Sequence, residues 1–343
     1  MAGAVVRFVS RLFTVVLFCA AAAGCASRPS TVGVGIGTAA YVDQPAKPYA
    51  ALYLPYAQMA ALAYADPQFL IRSQTPYCPD EALLRSPALA DAGHPAADNV
   101  RLARWRAALG RHWQCLFGGV GPVGCPRGIR CVDGLQYQVW RRRDCGEAVI
   151  AFRGSDSGDI GDWLSNFRWF LSRSIFDEYD QVQKAIPAIV DKIYGSGCRP
   201  RRIVAVGHSL GGGLAQHVAY AEPRIDYVFA FDPSPVTGFF GVPLPTRMAA
   251  AKELGIDRVY ESGEILSLPR YLVSGVFPTS SCQPRVRIVR FATVAAPSLV
   301  ERHRVANLTE GLERLAAQPR PSHPLPVAFK AAKACTFVDA GRG

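Results

Sequence analysis

The sequence predicts an α/β fold with a mostly parallel central sheet flanked by helices. From about residue 135 to residue 315, short apolar runs typical of buried strands alternate with longer segments in which apolar residues recur at helical spacing. The chain has 343 residues, of which 50% are hydrophobic and 19% charged. This composition provides for a substantial core and excludes a disordered or fibrous protein.

The first 24 residues have the composition of an export signal. Arg7 and Arg11 precede an apolar run, Leu12–Ala23, and a small residue follows it. A membrane-spanning helix needs about 20 apolar residues, so this run is short for that purpose. We therefore expect residues 1–24 to be a cleaved signal peptide.

The residues before Cys25 resemble the bacterial lipobox, at which a lipid is joined to a cysteine after cleavage. The stretch is Ala22-Ala23-Gly24, with Ala22 where leucine is usual. We expect a lipid on Cys25, and residues 25–50, rich in Ser, Gly, Pro and Ala, as a linker above the membrane. If Cys25 is lipidated, the presence of Ala26 and not Asp at the next position predicts that the protein is sent to the outer membrane. The alternative is ordinary cleavage that leaves a free thiol.

Residues 51–134 predict a cysteine-rich extension of helices and loops that packs on the core. Apolar spacing predicts helices over Tyr53–Ala65 and Val100–Leu109. Eight of the chain's cysteines follow Cys25, which allows up to four disulfides in an exported protein, with 105 possible pairings. No C-x-x-C spacing is present, so the sequence does not predict a zinc site.

Residues 135–343 form the predicted main domain, whose elements alternate between strand and helix. The predicted strands are Leu135–Trp140, Ala148–Phe152, Arg202–Val206, Tyr227–Phe231, Arg258–Tyr260 and Val286–Phe291. The predicted helices are Asp177–Tyr194, Ser209–Ala221 and about Val300–Leu315. This alternation is typical of a parallel sheet covered by helices.

The strongest motif is Gly207-His208-Ser209-Leu210-Gly211, a G-x-S-x-G sequence between a predicted strand and a predicted helix. A sharp strand-to-helix turn would raise Ser209 above the sheet edge, and side chains at 207 and 211 would collide with neighbouring elements. The helix N-terminus would direct N–H groups at an anion beside Ser209. We interpret Ser209 as a nucleophile.

A serine hydroxyl needs a base, and in this fold the chain order is serine, acid, histidine. His217 lies eight residues along the predicted helix, about 12 Å from Ser209 at 1.5 Å per residue, and cannot reach back. His323 lies in a proline-rich C-terminal segment. His303 follows the last predicted strand closely and is therefore our candidate base.

Two acidic residues follow predicted strands and could orient the imidazole. Glu264 comes after the penultimate strand, the usual position of the acid in this topology, and we prefer it. Asp232, within a proline-containing turn, is the alternative acid. Glu261 remains a third candidate, with an exposed surface role as its alternative.

An oxyanion hole requires a second N–H donor besides that of Leu210, usually from the end of an earlier strand. Ser155 follows Phe152-Arg153-Gly154 at such a position and offers both a backbone N–H and a hydroxyl. Arg153 could have a direct role or serve only as an ion-pair partner.

The two motifs, Phe152-Arg153-Gly154-Ser155 with Asp162-Trp163, and Gly207 to Gly211, closely resemble the class 3 (fungal-type) lipases in order and spacing. The resemblance implies an α/β-hydrolase fold, an oxyanion hole from Ser155 and Leu210, and a lid after Ser155. The segment is apolar, and an ordinary core-facing helix is the alternative to a lid. Its lid or substrate-binding candidates are Ile160, Trp163, Leu164 and Phe167. In that family the acid, usually Asp, precedes a Val or Ile and a following Pro. Glu264, followed by Ile265 and Pro269, fits this pattern loosely, with Glu in place of Asp.

We therefore expect a lipid-anchored serine hydrolase, similar to triacylglycerol lipases, that cleaves carboxylic esters of lipids through an acyl-enzyme. An acyltransferase with the same triad, or a catalytically inactive acyl-binding envelope lipoprotein, are the alternatives. We expect no metal or cofactor.

The formal net charge of +11 suits either an ordinary solvated surface or attraction to an anionic membrane surface. No basic stripe interleaved with aromatic residues and no zinc-finger spacing predicts nucleic-acid binding. The expected partners are the lipid substrate and the membrane, and the sequence leaves the oligomeric state open.

Overall fold

Nine β-strands of the described part of the chain form one mixed sheet. The structure, a computed structural model, describes residues 31–36, 41–65, 78, 96–120, 135–154, 177–273 and 283–319. The strand order is β2-β1-β9-β8-β7-β6-β5-β4-β3, and the five strands from β5 to β9 run parallel. Two antiparallel strands complete each edge. The prediction of a mostly parallel central sheet is confirmed.

The strand bounds, in chain order, are β1 Thr31–Ile36, β2 Val42–Pro45, β3 Trp113–Val120, β4 Gln136–Arg142, β5 Ala148–Phe152, β6 Ile203–His208, β7 Tyr227–Phe231, β8 Gly255–Glu261 and β9 Arg285–Phe291. The α-helices are α1 Ala46–Leu62, α2 Ala96–Gly110, α3 Glu178–Tyr194, α4 Leu210–Ala221, α5 Leu244–Ala251, α6 Ser267–Val273, α7 Leu299–His303 and α8 Val305–Ala317. Asp177 caps α3, because its carboxylate accepts from the N–H groups of Tyr179 and Asp180.

The core lies on both faces of the sheet, as the continuous apolar strands require. In β5, Val149 packs in the layer that contains α1, α2 and α8, whereas Ile150 packs against α3 and α4. The side chains of a strand alternate between faces, so a fully apolar strand supplies both cores. Because β5 to β9 run parallel, their C-terminal ends all lie along the same side of the sheet, where β6 leads into α4. We call this side the sheet edge.

The expected linker over residues 25–50 is replaced, from Thr31 onward, by β1, β2 and the start of α1. β1 pairs antiparallel with β9, in register from Gly33 with Arg290 to Ile36 with Arg287. Its alternating Val and Gly residues resemble linker composition, but Val32 is buried in the core. A short strand that pairs with an existing sheet needs few apolar side chains, and composition alone does not reveal it.

The described part of the predicted N-terminal extension is built into the main fold. Helices α1 and α2 cover one face of the sheet, and β3 is an edge strand of that sheet. Two disulfides lie among the described residues and join Cys78 to Cys115 and Cys145 to Cys198. The predicted final helix is two helices, α7 and α8, separated at Arg304.

Among the described residues, no helix has both the length and the apolar character needed to cross a bilayer.

Candidate active site

Ser209 lies in a strained turn between β6 and α4. Its φ of 57° and ψ of −124° place a non-glycine residue in a rarely occupied region of backbone space. A Cβ at Gly207 would overlap the backbone of Gly211, and a Cβ at Gly211 would overlap the carbonyl of Phe152. The structure therefore shows the physical need for both glycines of the motif.

The turn is fixed by backbone hydrogen bonds across the sheet edge. The Ser209 N–H donates to the carbonyl of Phe231 at 3.1 Å, and the Ser234 N–H donates to the carbonyl of Ser209 at 2.8 Å. Leu210 is the first residue of α4, so its N–H has no acceptor within the helix. The role of this N–H in an oxyanion hole stays a prediction.

His303 and Glu264 form a buried pair at the same sheet edge. The imidazole Nδ1 lies 2.6 Å from Oε2 of Glu264, and both side chains are fully buried. Because the carboxylate accepts, Nδ1 carries the hydrogen and Nε2 holds the lone pair. Nothing among the described residues hydrogen-bonds this Nε2, so the structure shows no bond to Ser209.

Glu264 is held by three further donors, all from the segment that follows it. Oε2 also accepts from the N–H of Leu266 at 2.8 Å, and Oε1 accepts from Oγ of Ser267 at 3.1 Å. The Nη2 of Arg270 forms an ion pair with Oε1. The carboxylate therefore has one fixed orientation toward the imidazole.

A second imidazole, that of His208, connects the serine turn to the loop of His303. Its Nε2 lies 2.6 Å from the carbonyl oxygen of His303 and must donate. Nδ1 then accepts from the hydroxyl of Tyr64 at 2.9 Å. The rings of His208 and His303 lie 4.7 Å apart, centre to centre. His208 therefore has a structural role, and it brings His303 beside the residue that precedes Ser209.

Burial sets the protonation states of these groups. Burial, and secondly the charge of Arg270, lowers the pKa of His303 below its usual range. Burial also holds the pKa of His208 well below that range. Both imidazoles are therefore neutral near pH 7, which is the state that a general base requires.

Asp232, the alternative acid, is fully buried at the end of β7 but does not bond the imidazole of His303 in the described structure. Its Oδ1 accepts from the N–H of Glu261 at 2.8 Å, and among the described residues Oδ2 has no partner. Burial raises the pKa of Asp232 well above its usual range and so favours the neutral form of this carboxyl.

Glu261 does not have the exposed surface role that was the alternative for it in the sequence analysis. It is buried and accepts from the N–H groups of Thr293 and Val294 and from the hydroxyl of Thr293. These bonds shape the segment after β9, through which the chain runs on to α7. The side chain of His217 is also buried, as a packed helix residue, with Nδ1 donating to the carbonyl of Gly238 at 3.1 Å.

Among the described residues, one group of three side chains could offer ligand atoms to a metal. His208, Asp232 and His303 each place a ligand atom within 4.8 Å of the others. Both ring nitrogens of His208 already have hydrogen-bond partners, and Nδ1 of His303 bonds Glu264. These nitrogens are already engaged in hydrogen bonds, and of the three side chains we interpret only that of His303 as an acid–base group.

Several predicted site residues lie outside the described residues. They are the lipidation site Cys25, the oxyanion-hole residue Ser155, and the lid or substrate-binding residues Ile160, Trp163, Leu164 and Phe167. Gly154, directly before Ser155, is described: a Cβ there would overlap the His208 carbonyl and the Tyr64 hydroxyl. The guanidinium of Arg153 donates to Gln136 at 2.7 Å and lies 5.8 Å from the ring centre of Tyr64.

Sequence reasoning did not identify Tyr64 or Arg270. Tyr64 is separated from the serine motif by more than 140 residues and belongs to no motif. Arg270 lies six residues after Glu264, and only the turn that begins α6 brings the two side chains together. A charged residue soon after the candidate acid was the one available signal for Arg270.

Residues 131–231 match the sequence profile of a phospholipase-like family, described as a Tle-like phospholipase domain. This span includes Ser209 and ends before Asp232, Glu264 and His303. No curated protein matches the sequence.

Solved structures of fungal lipases are similar to this chain. Rhizomucor miehei triacylglyceride lipase is 15% identical with a TM-score of 0.42, over 82% of this chain and 99% of that one. Lipase II from Rhizopus niveus is 14% identical with a TM-score of 0.38, over 69% and 78%. A deletion mutant of the Rhizomucor miehei lipase–propeptide complex is 15% identical with a TM-score of 0.38, over 70% of this chain and 65% of that one, just under two thirds.

Proposed function

We propose that this protein is a serine hydrolase that cleaves carboxylic esters of lipids through a covalent acyl-enzyme. The observation that carries the proposal is the strained backbone of Ser209 at the same sheet edge as the buried His303–Glu264 pair. A strained serine next to a helix N-terminus, with an oriented neutral imidazole close by, is an arrangement suited to nucleophilic acyl transfer.

In the proposed reaction, Oγ of Ser209 attacks the ester carbonyl and its proton passes to Nε2 of His303. Glu264 accepts from Nδ1 and stabilises the imidazolium that forms. The N–H of Leu210, with a second donor from Ser155, stabilises the oxyanion. The imidazolium then gives its proton to the departing alcohol, and water, activated by the same imidazole, hydrolyses the acyl-enzyme.

We further propose phospholipids or acylglycerols as the substrate class. The description of the matching family supports a phospholipid. The formal net charge of +11 becomes +9 when Arg7 and Arg11 are removed with the signal peptide (11 − 2 = 9), and this charge favours an anionic lipid surface. A lipid on Cys25 would hold the enzyme at the outer membrane, and an apolar lid after Ser155 would cover the acyl site. These remain predictions from the sequence.

A fluorophosphonate probe tests the nucleophile. We expect the wild-type protein to be labelled and Ser209→Ala to be unlabelled, with ester hydrolysis reduced by a factor on the order of 10³ or more. Ser196→Ala, which removes a hydroxyl bonded to the Ile193 carbonyl, is the matched control and should keep full labelling. A folded wild type that takes no label would support the acyl-binding alternative.

A p-nitrophenyl ester series of increasing acyl length, followed by phospholipid and triacylglycerol vesicles, tests the substrate class. We expect preference for acyl chains long enough to bury in an apolar site. Hydrolysis restricted to acetate and other short water-soluble esters would contradict a lipid substrate while leaving the serine chemistry intact.

A further inference from the structure

Arg270 places a positive charge next to the His303–Glu264 pair. Arg270 extends from α6 so that Nη2 pairs with Oε1 of Glu264, while Nη1 donates to the carbonyl of Pro233 at 3.0 Å. Its guanidinium carbon lies 4.3 Å from the ring centre of Tyr260. The side chain is 12% exposed, so solvent screens this charge little.

Two consequences follow from this geometry. First, the four hydrogen bonds to Glu264 leave Oε2 directed at the imidazole, and Arg270 ties that carboxylate to the turn after β7. Second, the guanidinium offsets part of the carboxylate charge in the resting site. The carboxylate then stabilises the imidazolium of His303 less than it would without Arg270, because the two positive charges repel each other.

We propose that Arg270 is a positioning residue that orients Glu264 toward His303 and extends the working range of the enzyme toward acid pH. The proposal rests on the proposed function, because it assumes that His303 is the base for Ser209. The direction of the His303 pKa, lowered by burial and by Arg270, agrees with it.

Other groups around this cluster do not supply the same effect. Burial favours the neutral forms of both Asp232 and His208. The remaining titratable or charged groups near Arg270 or on the adjoining segments are Arg258, Tyr260, Glu261, Arg290 and Arg302. Among the described residues, Arg270 is the cation that bonds Glu264.

The test is the pH profile of fluorophosphonate labelling and of p-nitrophenyl ester kcat/KM in the full-length protein. In Arg270→Gln the guanidinium is lost, imidazolium becomes easier to form, and the acidic limb moves to higher pH by about one unit or more. The plateau kcat/KM falls by about tenfold because Glu264 loses its fixed orientation.

Arg270→Lys separates charge from geometry. Lysine keeps the positive charge but cannot bond Glu264 and the Pro233 carbonyl with a planar fork. We expect the acidic limb to stay near the wild-type position while the plateau still falls. This variant also keeps the proposal testable if Arg270→Gln does not fold.

Arg287→Gln is the matched control. Arg287 is a buried arginine that pairs with Asp257, near the start of β8 and away from the catalytic edge. The Arg287→Gln substitution should lower the melting temperature of the protein without moving the acidic limb of its pH profile. A limb that stays at the wild-type pH in folded Arg270→Gln, with only the plateau reduced, overturns the proposal and leaves the proposed function standing. A wild type without labelling at any pH overturns both.

Discussion

Two buried carboxyl groups lie near the imidazole of His303, and their hydrogen bonds separate their roles. Glu264 accepts from the ring Nδ1 and from three other donors. Asp232 accepts from a backbone N–H, and burial raises its pKa well above the usual range. The carboxylate that bonds the imidazole is therefore that of Glu264, the acid preferred from the sequence, and its role in a reaction stays a prediction.

Conservative amide substitutions test this assignment. We expect Glu264→Gln to lower kcat/KM for a p-nitrophenyl ester by a factor on the order of 10³ to 10⁴, because a neutral amide cannot stabilise the imidazolium. Asp232→Asn, the matched control, keeps the size of the native group and an oxygen that can accept from the N–H of Glu261, and should change kcat/KM by a few fold at most. Full activity in Glu264→Gln with loss in Asp232→Asn would transfer the role to Asp232.

Helix α1 is the element that connects the N-terminal region to the site. It covers the sheet through buried residues such as Tyr53 and Met59, and the turn after it presents Tyr64 to His208. Because Tyr64 donates to Nδ1, His208 is held in the tautomer that bonds the His303 carbonyl. An element without a recognised motif therefore supports the position of His303, the proposed base.

Removing the hydroxyl of Tyr64 tests whether this side chain holds His208 and, through it, His303 in position. Tyr64→Phe leaves Nδ1 of the buried His208 without its donor, a loss of about 1–3 kcal/mol. We expect kcat/KM to fall by about tenfold, with KM little changed, because the base is displaced and not the substrate site.

Tyr56→Phe is the control for this experiment, since Tyr56 lies on the same helix and its hydroxyl donates to Glu147 at 2.7 Å. It should reduce thermal stability without a change in kcat/KM. Equal losses of activity in the two variants would assign Tyr64 a purely structural role.

At the scale of the whole molecule, several ionisable side chains are buried in their neutral form. His217 is an example away from the catalytic pair: burial lowers its pKa to about 4. The unfolded chain binds a proton on this imidazole near the ordinary histidine pKa of about 6.5. Stability from the neutral ring is therefore complete above about pH 6.5 and is lost as the pH falls toward 4.

Chemical denaturation between pH 7 and pH 4 measures this contribution. The wild-type free energy of unfolding should fall across this range, and His217 accounts for roughly 3 kcal/mol of the fall. His217→Asn keeps a donor near the Gly238 carbonyl but does not titrate, so its fall should be smaller by about that amount. His112→Asn, at an exposed position, should behave like the wild type. An unchanged pH dependence in His217→Asn would contradict the neutral buried state.

The sequence by itself determined the parallel core and the strand–turn–helix around Ser209. Ala148–Phe152 and Tyr227–Phe231 have the bounds predicted for them, because a fully apolar run of five residues is long enough only for a strand buried on both faces. Gly207 and Gly211 were recognisable for the same local reason, since the collisions they avoid arise within the turn and the strands it touches.

Only the tertiary structure decided which distant groups meet at that turn. Thr31–Ile36 reads as linker until β9 offers it an edge to pair with. The orientation of Glu264 by Arg270 and the bond from Tyr64 to His208 depend on side-chain contacts between segments far apart in the chain or joined by a tight turn. Local patterns encode backbone conformation, whereas the charge and protonation state of a buried site depend on everything packed around it.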